Sequence, residues 1–216
     1  MKCCVLSFAY IAQVISNCRA IAVFHVLRAG LRSPSADGSG VIISRLRDGQ
    51  WSGASAIVVE FELPQDVDVV DIIVAINNQD DLNFVSRQGE APGKALNIEP
   101  GPIPESDAYA AQLRKTPRDS TANFFYAKSK GYLLQLDLKR LVIRDADGEN
   151  ERFYGIPGAS VEKILSGQVE SPSGASTQLN STLTALGQQS PSLSGLPKPG
   201  NCPGDRRIRT PMATPL

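Results

Sequence analysis

The run from Val14 to Trp51, VISNCRAIAVFHVLRAGLRSPSADGSGVIISRLRDGQW, narrows the possible architectures more than any other part of the chain. Ala20 to Ala29 clusters Ile21, Val23, Phe24, Val26 and Leu27, the β-branched and aromatic content of a buried or half-buried strand, and Gly30 ends it. Ser33 to Gly40 concentrates Ser, Pro, Asp and Gly, which predicts a turn or short loop. Val41 to Leu46 is again β-type, and Asp48-Gly49 is a pair suited to closing a tight hairpin into Trp51 and Ser52. Consecutive antiparallel strands are therefore expected from the first quarter of the sequence.

The rest of the chain continues this pattern. Asp71 to Ile76 is a short apolar run, read as a buried strand. Asn77-Asn78 ends it and caps a short helix over Gln79 to Gln88, with Leu82, Phe84 and Val85 turned inward. Lys94 to Ile98 is a candidate strand, after which Pro100, Pro102 and Pro104 forbid regular structure until Asp107. Asn123 to Lys128 and Gly131 to Leu138 are β-type runs joined by a turn at Ser129 to Gly131. Leu141 to Arg144 adds a strand, closed by a turn at Asp145-Ala146-Asp147-Gly148. From Gln168 to Leu216 the composition shifts to Ser, Pro, Gly, Thr and Gln, too poor in apolar surface to offset ordering, so a disordered tail is expected.

Four motifs in order carry a family resemblance. They are Gly38-Ser39-Gly40-Val41; Asp48-Gly49-Gln50-Trp51-Ser52-Gly53-Ala54-Ser55-Ala56-Ile57; Phe125-Tyr126-Ala127-Lys128-Ser129-Lys130-Gly131; and Phe153-Tyr154-Gly155 followed by Val161 to Gly167. Together they resemble the SYLF domain, a module of cortical actin and phosphoinositide-binding proteins. The resemblance covers Ile11 to Gly167 and implies an α+β fold, a mostly antiparallel β-sheet or barrel-like domain with flanking short helices. It assigns 1–167 to the domain and 168–216 to the tail, and makes Val14 to Ile21 the end of a helix feeding the first strand. It also implies a non-catalytic adaptor that binds phosphoinositide membranes or actin filaments, in the cytoplasm at the cell cortex or on a peripheral membrane, in endocytic traffic. The chain departs from the family at Val58 to Val70, where Glu60, Glu62, Asp66 and Asp68 replace a Gly-rich apolar stretch and leave the strand pairing undefined. The family's long lysine-rich N-terminal helix has no counterpart before Val14, which implies a domain shortened at that end with weak lipid affinity.

Charge and motif content bound the chemistry. The 22 basic and 22 acidic residues sum to a formal net charge of zero, which argues against a general polyanion binder, so no nucleic-acid partner is expected. Local charge is uneven: Arg19, Arg28 and Arg32 share an acid-free stretch, whereas Glu60 to Asp81 holds acids and no Lys or Arg. Cys3, Cys4, Cys18 and Cys202 lack paired CxxC spacing, and His25, the single histidine, lies in an apolar strand and reads as structural. No G-x-S-x-G elbow is present, Gly38-Ser39-Gly40 lacks the Lys-Ser/Thr of a phosphate loop, and Asp145, Asp147 and Glu149 lack a calcium-loop frame. The expectation is no enzyme, no cofactor and no metal. The candidate lipid- or actin-binding residues are Lys128 and Lys130, which flank Ser129 and can offer two ammonium groups to one side, with Arg19, Arg28 and Arg32 as the second basic group. Leu196-Pro197-Lys198-Pro199, through Pro197 and Pro199, is a candidate ligand for a Src-homology-type domain. Met1-Lys2 before the apolar run Cys3 to Ile15 supports a rival reading, a secreted or envelope-associated structural protein cut near Ser16 to Ala20. That run is shorter than the roughly 20 apolar residues a membrane span needs.

Overall fold

The computed structural model describes residues 14–15, 17–27, 35–62, 69–87, 96, 98–101, 123–129, 132–134, 141–172, 174 and 176–188. Eight strands, β1 (Ala20–Leu27), β2 (Ser35–Ser44), β3 (Ser55–Glu62), β4 (Val69–Ile76), β5 (Ile98–Pro100), β6 (Asn123–Ser129), β7 (Tyr132–Leu134) and β8 (Val142–Asp145), form one curled, open sheet. Their order is β5-β6-β4-β1-β2-β3-β8, with β7 also on β6, and every pairing is antiparallel except that of β5 with β6. Helices α1 (Gln79–Ser86), α2 (Glu149–Tyr154), α3 (Val161–Leu165) and α4 (Thr177–Gln188) flank it. The expected mostly antiparallel α+β architecture is what the chain adopts.

Alternation along each strand divides the side chains between two faces. The inner face carries Ala20, Ala22, Phe24 and Val26 of β1, with Ile42, Ile57, Val59, Phe61, Val70, Ile72, Val74 and Ile143, and is closed by Leu82 and Val85 of α1 and Val161 and Leu165 of α3. On the outer face, the described residues cover one end. There Ile21, Ile43, Ala75 and Tyr126 pack with Val14, Ile15, Cys18, Trp51 and, from α4, Leu183. Helix α1 starts where the sequence places it, since the Asn78 side chain accepts a 2.9 Å hydrogen bond from the Asp80 N–H, and Asp80 and Asp81 complement the helix dipole. Asn123 ties this corner to β6: its carbonyl accepts from the Asn77 N–H at 3.0 Å and its amide donates to Asp81 at 2.7 Å.

Four expectations need correction. The turn predicted over Ser33 to Gly40 is strand from Ser35 onward. Its glycines serve close approach, because a Cβ on Gly40 would lie 2.1 Å from the Val23 carbonyl oxygen and one on Gly38 would lie 2.6 Å from that of His25. The stretch after Ile57, where acids left the pairing undefined, is regular through Glu62: Glu60 and Glu62 fall on alternate, exposed positions while Val59 and Phe61 fill the core. Pro100 ends β5 instead of forbidding it, which a proline can do on a strand at the sheet margin. The disordered tail expected from Gln168 does not hold for its first part, since Val169 and Ser176 are buried and α4 seats Leu183 in the outer cluster. Helical periodicity gave those sparse leucines a common face that overall composition concealed. Residues 189–216, and with them Pro197 and Pro199, lie outside the described residues, as do Lys130, Arg28, Arg32 and most of the signal-like N-terminus.

Candidate functional site

The motifs that carry the resemblance meet in space as a structural clamp. Trp51 is buried in the outer cluster with the Arg45 guanidinium 4.4 Å over its ring. Arg45 also donates to the carbonyls of Cys18 (3.4 Å) and Ile15 (3.4 Å), which close the helical turn before β1. The next motif residues lock to a segment about a hundred positions away. The Tyr154 hydroxyl donates to the Ala54 carbonyl at 2.7 Å, and Gly53 leaves room for it, because a Cβ there would lie 2.4 Å from that hydroxyl. Asn150, buried at the start of α2, imitates a strand residue. Its carbonyl accepts from the Ala56 N–H at 2.7 Å, while its amide donates to the Ala56 carbonyl at 3.3 Å and to the Asp145 carboxylate at 2.7 Å. Burial raises the Asp145 carboxyl above its usual range, and the Asn150 bond pulls it partly back.

What these clamps leave open is the far half of the outer sheet face. One cross-strand row there reads Lys128, Asp71, His25, Ser39, Val58, Arg144, and the next contains Val69, Leu27, Asp37, Glu60 and Val142. His25 is not enclosed as expected for a structural histidine. Its side chain is half exposed and its Nδ1 lies 2.6 Å from Asp71 Oδ1, an acid partner that sequence spacing gave no means of finding. Arg144 pairs with Glu60 at 3.1 Å. Among these charges Leu27 (56% exposed), Val69, Val58 and Val23 present aliphatic surface. Asp37, Val58, Glu60, Val142 and Arg144 line an open depression of about 240 Å³.

Of the predicted basic residues, Lys128 lies on this face, exposed and opposite Asp71. Arg19 lies before the other end of β1, where it donates to Gln79 at 3.3 Å. Six positions separate Arg19 from the His25 row, roughly 20 Å along a strand, so the two are not brought into one site.

The chemistry open to this face is limited by its shape. Ser39, His25 and Asp71 are neighbours across three strands, yet they stand on an open surface where backbone N–H groups are engaged in the sheet ladder. The arrangement suits recognition by charge and contact. Among the described residues no group of three or more His, Cys, Asp or Glu is placed to hold a metal. Cys18, buried against the outer cluster, has its thiol pushed up to about 12 by desolvation and is chemically quiet. No described helix is long and apolar enough to cross a membrane.

Comparison with known proteins bears on what such a face does. A family model described as Ysc84, Las17-binding protein actin regulator, matches residues 61–186, from the end of β3 through α4. Protein YSC84 of Saccharomyces cerevisiae is 30% identical over 166 residues, covering 75% of this chain and 35% of that protein. LAS seventeen-binding protein 3 of the same species is 29% identical over 164 residues, covering 74% and 35%. SH3 domain-containing YSC84-like protein 1 of Bos taurus is 29% identical over 149 residues, covering 66% and 42%. The chain thus spans about a third of the length of the yeast relatives it matches. No solved structure matches it.

Proposed function

Since the chain belongs to the Ysc84 family, the Las17-binding actin regulators that its SYLF-like motifs resemble, we propose that it is a non-catalytic adaptor module that engages the actin machinery. The observation that carries this reading is the open half-face of the sheet, a flat array of paired charges and exposed aliphatics that suits a macromolecular partner better than a small substrate. Phosphoinositide membranes are the second ligand. Lys128, at the margin of the face, and Lys130, two residues on, supply the ammonium pair for an anionic headgroup. In this role the protein works at the cell cortex or on a peripheral membrane, and Leu196-Pro197-Lys198-Pro199 is offered to a Src-homology-type domain.

Co-pelleting of the full chain with actin filaments and with phosphoinositide vesicles tests both arms. The filament arm fails if the chain stays in the supernatant at every filament concentration. Replacing Lys128→Glu and Lys130→Glu together is expected to lower vesicle pelleting several-fold, and unchanged pelleting rejects the pair as the lipid site.

A further inference from the structure

Between α3 and α4 the chain holds a run of bonded hydroxyls that the adaptor reading does not use. The Tyr154 hydroxyl donates to the Ala54 carbonyl at 2.7 Å, and the Ser171 side chain bonds the same phenol oxygen. Ser171 Oγ lies 2.5 Å from Ser176 Oγ. A hydroxyl has one proton to give, so the three align in one direction: Ser176 donates to Ser171, Ser171 to Tyr154, and Tyr154 to Ala54. This relay ties the residue before α4, through α2, to the segment entering β3. Ser176 is buried, and its carbonyl accepts from the Asn180 N–H in the first turn of α4.

Little else holds α4 in place. Its hydroxyls on Ser181, Thr182 and Thr184 bond back to carbonyls of its own helix, and no acid in the first turn or base in the last supports its dipole. Leu183 and Leu179 are what it packs against the outer cluster, while Asn180 Oδ1 is buried there without a partner, which costs the docked state.

Ser171 is also placed for modification. Six of the fifteen prolines follow Ser or Thr (Ser33-Pro34, Thr116-Pro117, Ser171-Pro172, Ser190-Pro191, Thr210-Pro211 and Thr214-Pro215), and Ser171-Pro172 is the one among the described residues. Pro172 biases Ser171 to an extended backbone, Gln168 to Pro172 lie outside helix and strand, and Ser171 is half-exposed.

We infer that Ser171 is a phosphorylation site for a proline-directed kinase, and that phosphorylation there releases α4 from the outer face. The γ-phosphoryl of a nucleoside triphosphate passes to Oγ: a P–O bond replaces the O–H bond, the proton goes to the kinase's general base, and the nucleoside diphosphate leaves. The ester oxygen has lost the proton that Ser171 gave to Tyr154, so the relay is cut at its middle. The group brings a charge of about −2 beside Glu170, the sole charged residue between Lys163 and Gln188, so no cation of this segment pairs with it. Keeping that charge against buried Ser176 costs its hydration. This goes beyond the adaptor reading and does not depend on its ligands.

The full chain treated with a proline-directed Ser/Thr kinase and ATP should carry phosphate on Ser171, read by mass spectrometry of its peptides. Amide hydrogen exchange over 177–188 should then rise about tenfold while that of β1 is unchanged. Ser171→Ala isolates the cause, since kinase treatment of this variant should leave α4 exchange where it stood, whichever of the other five sites are filled. Absence of phosphate on Ser171 overturns the proposal. So does a Ser171-phosphorylated chain with unchanged α4 exchange, or a Ser171→Ala variant whose α4 still responds to the kinase.

Discussion

Asn150 offers the sharpest test of how the domain is held together. Its side chain makes three hydrogen bonds from a buried position, two of them to the backbone of Ala56 beyond the point where β8 stops pairing with β3. Asn150→Ala removes all three and leaves the Ala56 N–H without its partner. At about 1 kcal/mol for each neutral bond and about 2 kcal/mol for the one to the Asp145 carboxylate, the cost is about 4 kcal/mol. For a domain of this size that lowers Tm by about 10 °C, measurable by thermal unfolding followed by circular dichroism. Asn150→Asp retains the acceptor for Ala56 but sets a second carboxylate against Asp145, whose own carboxyl burial already raises. Two such groups in the folded state have pKa values above their unfolded ones. The native state then binds more protons than the unfolded state, and stability rises as pH falls through the raised values. Asn150→Asp should therefore be at least as unstable as Asn150→Ala at pH 7 and should recover relative to it as the pH approaches the carboxylate range. A pH-independent gap between the two variants, or an alanine cost within experimental error of zero, refutes the account of Asn150 as a surrogate strand residue.

Other outcomes follow from the same contacts. Gly40→Val places a branched side chain where even a Cβ would overlap the Val23 carbonyl, so soluble expression should be lost, as judged by size-exclusion chromatography. Leu183→Ala should cost about 2–4 kcal/mol in denaturant unfolding, because it removes buried side-chain volume from the outer cluster; a negligible cost would detach α4 from the fold. Asp71→Asn, at an exposed pair, should change stability by less than about 1 kcal/mol in the same assay. Native Cys18 should resist alkylation at pH 8 and react only in denaturant, read by mass spectrometry.

Local chemistry wrote much of this fold openly. The alternation of Ala20 to Leu27, the Asp48-Gly49 turn and the Asn78 cap depend on neighbours within a few residues, so their strand, hairpin and helix are legible from the chain alone. Gly38 and Gly40 misled because glycine permits both a turn and a close strand approach, and only the position of β1 decides between them. The same holds for α4, whose sparse leucines read as tail until Leu183 meets the cluster around Ile21.

Candidate site residues were legible in type but not in company. The sequence by itself determined strand content, the motifs of the family and the sign of each local charge run, because these are properties of neighbouring residues. Tertiary structure alone decided that His25 meets Asp71, that Arg19 stands far from Lys128, and that Leu27, Val58 and Val69 stand exposed on one sheet face. The physical reason is register: pairing brings together residues tens of positions apart, and a slip of one residue would send each of these side chains to the opposite face.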